Sequence, residues 1–186
     1  MKYVHERVLR RHYGIVSTVP FDESRHPQRL KLTDLDGTFK CSNVMDWFVK
    51  KVSSWVNNAN KKGDKVADGK VVTKAFFTVR TEAAFQKPKV EHTVNLYACV
   101  QDVAPTYNDG SGFNSLDVSH SVDLLMNCFL KVDLKRMPSS SWVKGNGPYG
   151  TYYEVNFELS ICFESTLSFK LSCNGVVRGT AEASYV

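Results

Sequence analysis

The chain has 186 residues, a hydrophobic share of 42%, an aromatic share of 12% and a net charge of +5. A chain of this size hides about 70% of its unfolded surface, enough for one domain, and its composition excludes a disordered polymer. No apolar run approaches the roughly 20 residues that span a bilayer. The segment Met1–Gly14 carries charges where a secretory leader needs an apolar stretch. No membrane partner is expected, and a cytoplasmic location is.

The charge is uneven. Residues 1–62 hold 12 Lys and Arg against 6 Asp and Glu, whereas residues 151–186 hold 2 against 4. Arg7, Arg10 and Arg11 form the tight basic cluster, but without the interleaved aromatics of a nucleic-acid motif. A solvated terminal segment accounts for them, and no nucleic-acid partner is expected.

In chain order, Tyr13–Val19 and Val44–Val49 read as short strands. Between them, Pro20–Asp36 reads as a loop, and Asp34-Leu35-Asp36-Gly37 as an Asp-Gly turn, since the other oxygen ligands of a calcium loop are missing. Val71–Arg80 and Glu91–Gln101 are strands joined by the polar connection Thr81–Lys89, with Val94, Leu96, Ala98 and Val100 alternating along the second. After a loop at Ala104–Ser121, Met126, Cys128, Leu130, Val132 and Leu134 predict one apolar face. Ser139–Gly150 reads as a loop; its glycine-rich end precedes a strand, and a phosphate cradle needs a helix there.

The C-terminal third predicts a three-stranded meander. Tyr153, Val155, Phe157, Leu159, Ile161 and Phe163 alternate with polar residues and Cys162; Leu167, Phe169, Leu171 and Cys173 repeat the pattern. Asn174-Gly175 is a strong hairpin signal, followed by a strand over Val176–Ser184. No segment carries a sustained 3.6-residue period. The expected fold is all-β, an antiparallel β-sandwich.

Chemistry-bearing patterns are scarce. Cys41, Cys99, Cys128, Cys162 and Cys173 include no C-x-x-C pair, so reduced and mostly buried thiols are expected, with no metal site. No nucleophile elbow, zinc-protease motif or nucleotide-binding loop occurs. The histidines at 5, 12, 26, 92 and 120 are scattered, and His92 reads as a surface or edge residue ahead of its strand. No enzymatic activity and no cofactor are expected.

Several segments together resemble the C-terminal peptide-binding β-domain of heat-shock-70 (DnaK-type) chaperones, in a divergent branch common in filamentous fungi. They are Tyr13-Gly14-Ile15, Val44–Lys51, Val94-Asn95-Leu96-Tyr97, Cys128–Pro138 with Val132-Asp133-Leu134 and Met137-Pro138, Tyr153–Leu159, and the Asn174-Gly175 hairpin with its closing strand. The resemblance runs from Tyr13 onward, each motif short and their order carrying it. It implies a β-sandwich substrate-binding domain over 13–186, a remnant of an interdomain segment over 1–12, and an insertion over 52–62 between Lys51 and Gly63-Asp64. Retained non-coding sequence is the alternative for 52–62. The family's actin-like ATPase domain and helical lid have no counterpart in these residues.

The resemblance implies a peptide channel. It places Ile15 and Ser17 on the first channel strand, Phe76 and Val79 on the strand before the polar connection, and Val94 and Leu96 on the strand after it. Phe76, Val94 and Leu96 equally fit an ordinary sandwich core. Thr18 stands where the family favours an arching apolar residue. The implied activity is weak, ATP-independent binding of extended apolar polypeptide segments, with a separate ATPase domain or co-chaperone as a further partner. The alternatives are an inactive structural fragment of a larger chaperone-like protein and a lectin-like sandwich using Trp142, Tyr149 and Tyr107.

Overall fold

Period-two alternation lets a strand bury one face while its backbone pairs sideways, and sequence of this kind buries its apolar faces by stacking two sheets. The computed structural model describes residues 6–51, 65–108 and 124–183. The strands are β1 (Glu6–Val8), β2 (His12–Pro20), β3 (Lys31–Thr33), β4 (Phe39–Val49), β5 (Lys65–Ala67), β6 (Lys70–Thr81), β7 (Glu91–Cys99), β8 (Leu124–Asp133), β9 (Trp142–Gly147), β10 (Gly150–Phe163), β11 (Leu167–Cys173) and β12 (Val176–Ala183). A single α-turn, α1 (Glu82–Phe85), follows β6.

One sheet runs β3-β4-β2-β7-β8. The other runs β12-β11-β10-β6, with β9 also paired to β10, and β1 and β5 form a separate ribbon. Every pairing is antiparallel. Strand β10 organises the second sheet. One edge pairs with β6 along Tyr152–Phe163, while the other serves β9 over Gly150–Val155 and β11 over Glu158–Phe163.

The inner faces meet in one core. Val155, Leu159, Ile161, Phe163, Leu167, Phe169 and Leu171 come from one sheet, and Tyr13, Ile15, Val94, Leu96, Ala98, Leu130 and Val132 from the other. Each fully buried Leu, Ile or Phe contributes about 1.5–3 kcal/mol, so this layer dominates stability. The expected β-sandwich class is the observed one. At the β11–β12 hairpin, Asn174 and Gly175 both take positive φ, 49° and 74°, as the turn requires.

The structure departs from the sequence reading in several places. The loop expected over Pro20–Asp36 contains β3, and the one over Ser139–Gly150 contains β9, so its glycine-rich end is half of a hairpin with β10. Within the polar connection, Thr81 Oγ1 caps α1 by accepting the Ala84 N–H, and Phe85 is buried between Trp142 and Tyr153. Met126 does not join the inner face. A bulge shifts the β7–β8 register between Leu96 and Tyr97, leaving Met126 58% exposed while Leu130, Val132 and Leu134 are buried. Leu9 belongs to the core and His12 is buried, so the expected interdomain remnant contributes packing from residue 9 onward. The expected insertion 52–62, His5, His120 and much of the 104–121 loop lie outside the described residues.

His12 pins three segments together. Its Nδ1 accepts the Lys51 N–H at 2.9 Å, which leaves the proton of the neutral ring on Nε2, donated to the Gln101 carbonyl at 2.8 Å. Lys51 Nζ adds a bond to the Val100 carbonyl and an ion pair with Asp102. Burial, with Lys51 and Lys50 nearby, lowers the His12 pKa below 6.5 against the opposing pull of the Gln101 bond and Asp102. The unfolded chain therefore takes up a proton that the folded ring resists. Stability in urea is expected to be full above about pH 6.5 and to decline as pH falls below it. His12→Phe is expected to reduce that slope; a profile flat between about pH 7 and about pH 5 contradicts the neutral ring.

Candidate functional site

Two paired strands part company. β2 pairs with β7 only from His12↔Cys99 to Ile15↔Leu96. Beyond Ile15, β2 continues to Pro20 beside β4, with a register shift between Ser17 and Val19 that leaves Thr18 unpaired. Beyond Leu96, β7 continues to Glu91 beside β8. The facing edges, Val16–Val19 and His92–Asn95, diverge and carry no ladder between them.

A cleft of about 600 Å³ occupies this opening. Its walls are Ile15–Val19 of β2 and His92–Asn95 with Tyr97 of β7. Five successive β6 residues, Ala75–Val79, line it with Phe157 and Leu159 of β10, and Leu32, Asp34, Lys40 and Ser42 contribute from the β3–β4 side. β6 pairs with β10 on one edge and, among the described residues, with no strand on the other. That free edge explains why residues from both faces of β6 reach the cleft.

The floor is aromatic. Phe76 stacks on Phe157 with centroids 6.4 Å apart and meets Phe48 at 6.1 Å. Charges around it are largely compensated. Lys74 pairs with Asp46, donates to the Trp47 carbonyl at 2.9 Å and lies 5.5 Å above the Phe48 ring. Lys40 sits 5.9 Å from the centroid of the half-exposed Phe77.

On the β7 side, Arg80 donates from Nη1 to Thr78 Oγ1 (2.7 Å) and the Val79 carbonyl (2.8 Å), and from Nη2 to His92 Nδ1 (3.0 Å). A guanidinium only donates, so Nδ1 is the acceptor and the neutral imidazole carries its proton on Nε2. The ring lies 5.4 Å from Phe157. Burial, reinforced by the Arg80 charge, pushes the His92 pKa down to about 4.

Five of the six residues named for a peptide channel line this cleft: Ile15, Ser17, Phe76, Val79 and Val94. Ile15 and Val94 are buried, and the Ser17 hydroxyl donates to the Val44 carbonyl at 3.2 Å. Leu96 does not line it. It is fully buried opposite Ile15 where the strands still pair, and is a core residue. Thr18 is exposed at the rim, in the β2 irregularity. His92, read from sequence as a surface or edge residue, is instead half-buried in the cleft wall. The signal was its parity with Val94 and Leu96, which places it on the same face of β7. Arg80 follows by the same rule from Phe76 and Thr78.

The loop aromatics considered for a lectin are mostly committed elsewhere. Trp142 packs edge-on against Phe85 at 4.4 Å, and the buried Tyr107 donates its hydroxyl to the Arg25 carbonyl at 3.1 Å; Tyr149 alone is well exposed. No disulfide joins the five cysteines, four of which are buried, and burial pushes the half-buried Cys128 thiol up to about 11. Among the described residues, no group of three His, Cys, Asp or Glu side chains could hold a metal, and no helix is long and apolar enough to cross a membrane.

No protein-family model, curated protein or solved structure gives a significant match to this chain.

The β3–β4 hairpin reaches across to the other sheet. Its tip is the expected Asp-Gly turn: Gly37 N–H bonds to the Asp34 carbonyl, and Asp36 Oδ1 accepts from Thr38 N–H and Oγ1. The tip touches the β9–β10 turn. A Cβ at Gly147 meets the Leu35 carbonyl oxygen at 1.9 Å, and one at Gly37 meets the Pro148 ring at 3.1 Å. Gly147→Ala has no room and is expected to cost about 1–3 kcal/mol in urea unfolding. Amide exchange should accelerate at residues 34–38 while β11 and β12 keep their protection; unchanged exchange at the tip removes the contact from consideration.

Proposed function

We propose that this chain binds extended polypeptide segments in the cleft between β2 and β7, without nucleotide, as the resemblance to heat-shock-70 peptide-binding β-domains implies. The observation that carries the reading is the divergence of those strands. It leaves the Val16–Val19 backbone edge beside a cleft floored by the half-buried Phe76 against the buried Phe157. An extended chain lying along such an edge gains main-chain hydrogen bonds, while alternate side chains drop toward the floor. Phe76 and Phe157 offer apolar area to one of them, with Ile15 and Val94 at the sides.

The open edge sets the chemistry of affinity. Main-chain bonding is sequence-tolerant, so selectivity falls to the side chain that meets the floor. Thr18 supplies no large apolar cover at the rim, and release is therefore expected to be fast, with affinity in the micromolar range.

A second reading, that the chain works as part of a larger assembly, is favoured by one feature. Leu125, Met126 and Phe129 of β8 are each more than half exposed. Concentration-dependent self-association in sedimentation, unaffected by peptide, would support it.

Fluorescence anisotropy with a labelled apolar peptide tests the main reading, and ATP is expected to leave the result unchanged. The same peptide methylated at alternate backbone nitrogens should bind at least about tenfold more weakly, since each lost main-chain bond is worth about 0.5–1.5 kcal/mol. Ser17→Trp, which fills the cleft from a half-buried position, should also weaken binding while the urea midpoint holds. Leu96→Asp is unsuitable, because it places a carboxylate in the core and is expected to unfold the chain. Equal binding of methylated and unmethylated peptide defeats the proposal.

A further inference from the structure

We infer that the β7 side of the cleft, where His92 stands in front of Arg80, receives a carboxylate of the bound segment, an Asp or Glu side chain. The inference rests on the peptide-binding reading and deepens it by naming a preferred side-chain class.

Arg80 is the first observation. It is a half-buried cation whose hydrogen bonds go to neutral acceptors: a threonine hydroxyl, a backbone carbonyl and an imidazole nitrogen. No carboxylate of the described residues lies within ion-pairing distance of it. Taking a guanidinium partly out of water without a counter-charge is costly, and an arriving anion recovers part of that cost.

His92 is the second. Its Nδ1 is held by Arg80, so Nε2–H is the donor left over. The described residues provide no acceptor for it, and the side chain lines the cleft. A ligand entering along β7 meets an N–H donor with a positive charge directly behind it. A carboxylate accepts that bond and gains the charge. An amide accepts the bond alone, and an alkyl group does neither.

Nearby carboxylates do not fill this role. Glu91 is bonded to Lys89, and Asp133 accepts from the Val90 and Lys135 backbone N–H groups. Asp46 is paired with Lys74, and Asp34 lies on the β3–β4 side, accepting the Leu35 N–H. Lys40 lines the β3–β4 side near Asp34 and the Phe77 ring, a further cation of the cleft, and the Arg80→Gln variant below separates its contribution from that of the β7 wall.

The test uses three peptides on one extended apolar framework, with Leu, Gln or Glu at the position that reaches the β7 wall, scanned over two registers. Anisotropy at neutral pH and low salt should show Glu binding about tenfold or more tighter than its isostere Gln in one register. Arg80→Gln should bring the Glu-to-Gln ratio close to one while the Leu peptide keeps its affinity. If Arg80→Gln fails to fold, the ratio on the unaltered chain decides, together with the His92 Nε2 nitrogen resonance, which should shift with the Glu peptide and not with Leu. Binding of the Leu peptide without a Glu advantage in either register overturns this inference and leaves the proposed function standing. Failure of all three peptides overturns both.

Discussion

The constraint on which the rest depends is that a strand edge must give its N–H and C=O groups to something. β2 meets it with β7 as far as Ile15, and β7 reciprocates as far as Leu96. After that pair the two strands follow different neighbours, β4 and β8, and a wedge opens between them. The cleft, its exposed backbone and its route to the aromatic layer below all follow from this separation. Among the described residues, β6 adds a second unpaired edge at the base, because its sheet ends there. Water can satisfy such edges, and under the proposed function an extended chain takes its place.

Beneath the wedge, polar groups are handled unevenly, and the unevenness gives the site its character. Lys74 and Asp46 neutralise each other beside Phe48, so that side of the floor is apolar with a compensated rim. Among the described residues, Arg80 has only neutral acceptors, and it holds His92 in one tautomer. An aromatic floor with one fixed donor behaves differently from an aliphatic pocket. Under the proposed function it would rank ligands by the chemistry of a single side chain as well as by the area they bury.

Much of the fold was legible in the residues. The alternation from Tyr153 to Cys173 and the Asn174-Gly175 turn specify β10 to β12, because a one-residue slip exposes a whole apolar face. β3 leaves no signal because three residues, Lys31–Thr33, are too few to show a period, and β9 is masked because its glycines read as loop. Met126 departs from its expected face because a bulge reverses parity without marking the sequence. Of the residues that the resemblance names, Ile15, Phe76 and Val94 line the cleft, whereas Leu96 lies where β2 still closes over it. The inward place of His92 is hidden in the sequence because a polar residue at an inward position looks like the end of a strand. Its role depends on Arg80, whose contact with it comes from the packing of two sheets and not from local pattern.

The long pairing of β10 with β6 has a consequence for how the chain reaches this state. The partners lie far apart in sequence, residues 81 and 152 at one end of the ladder and 70 and 163 at the other. The β10–β11–β12 meander needs only short turns, so its loop-closure entropy is small and it can assemble early. β6 docks onto it only after a long loop has closed, and the cleft floor, made of Phe76 on one strand and Phe157 on the other, does not exist before that step. During synthesis the chain thus holds its own β6 edge and Phe76 uncovered until β10 has been made. In that interval it is itself an extended apolar segment of the sort that the proposed function assigns to its finished cleft.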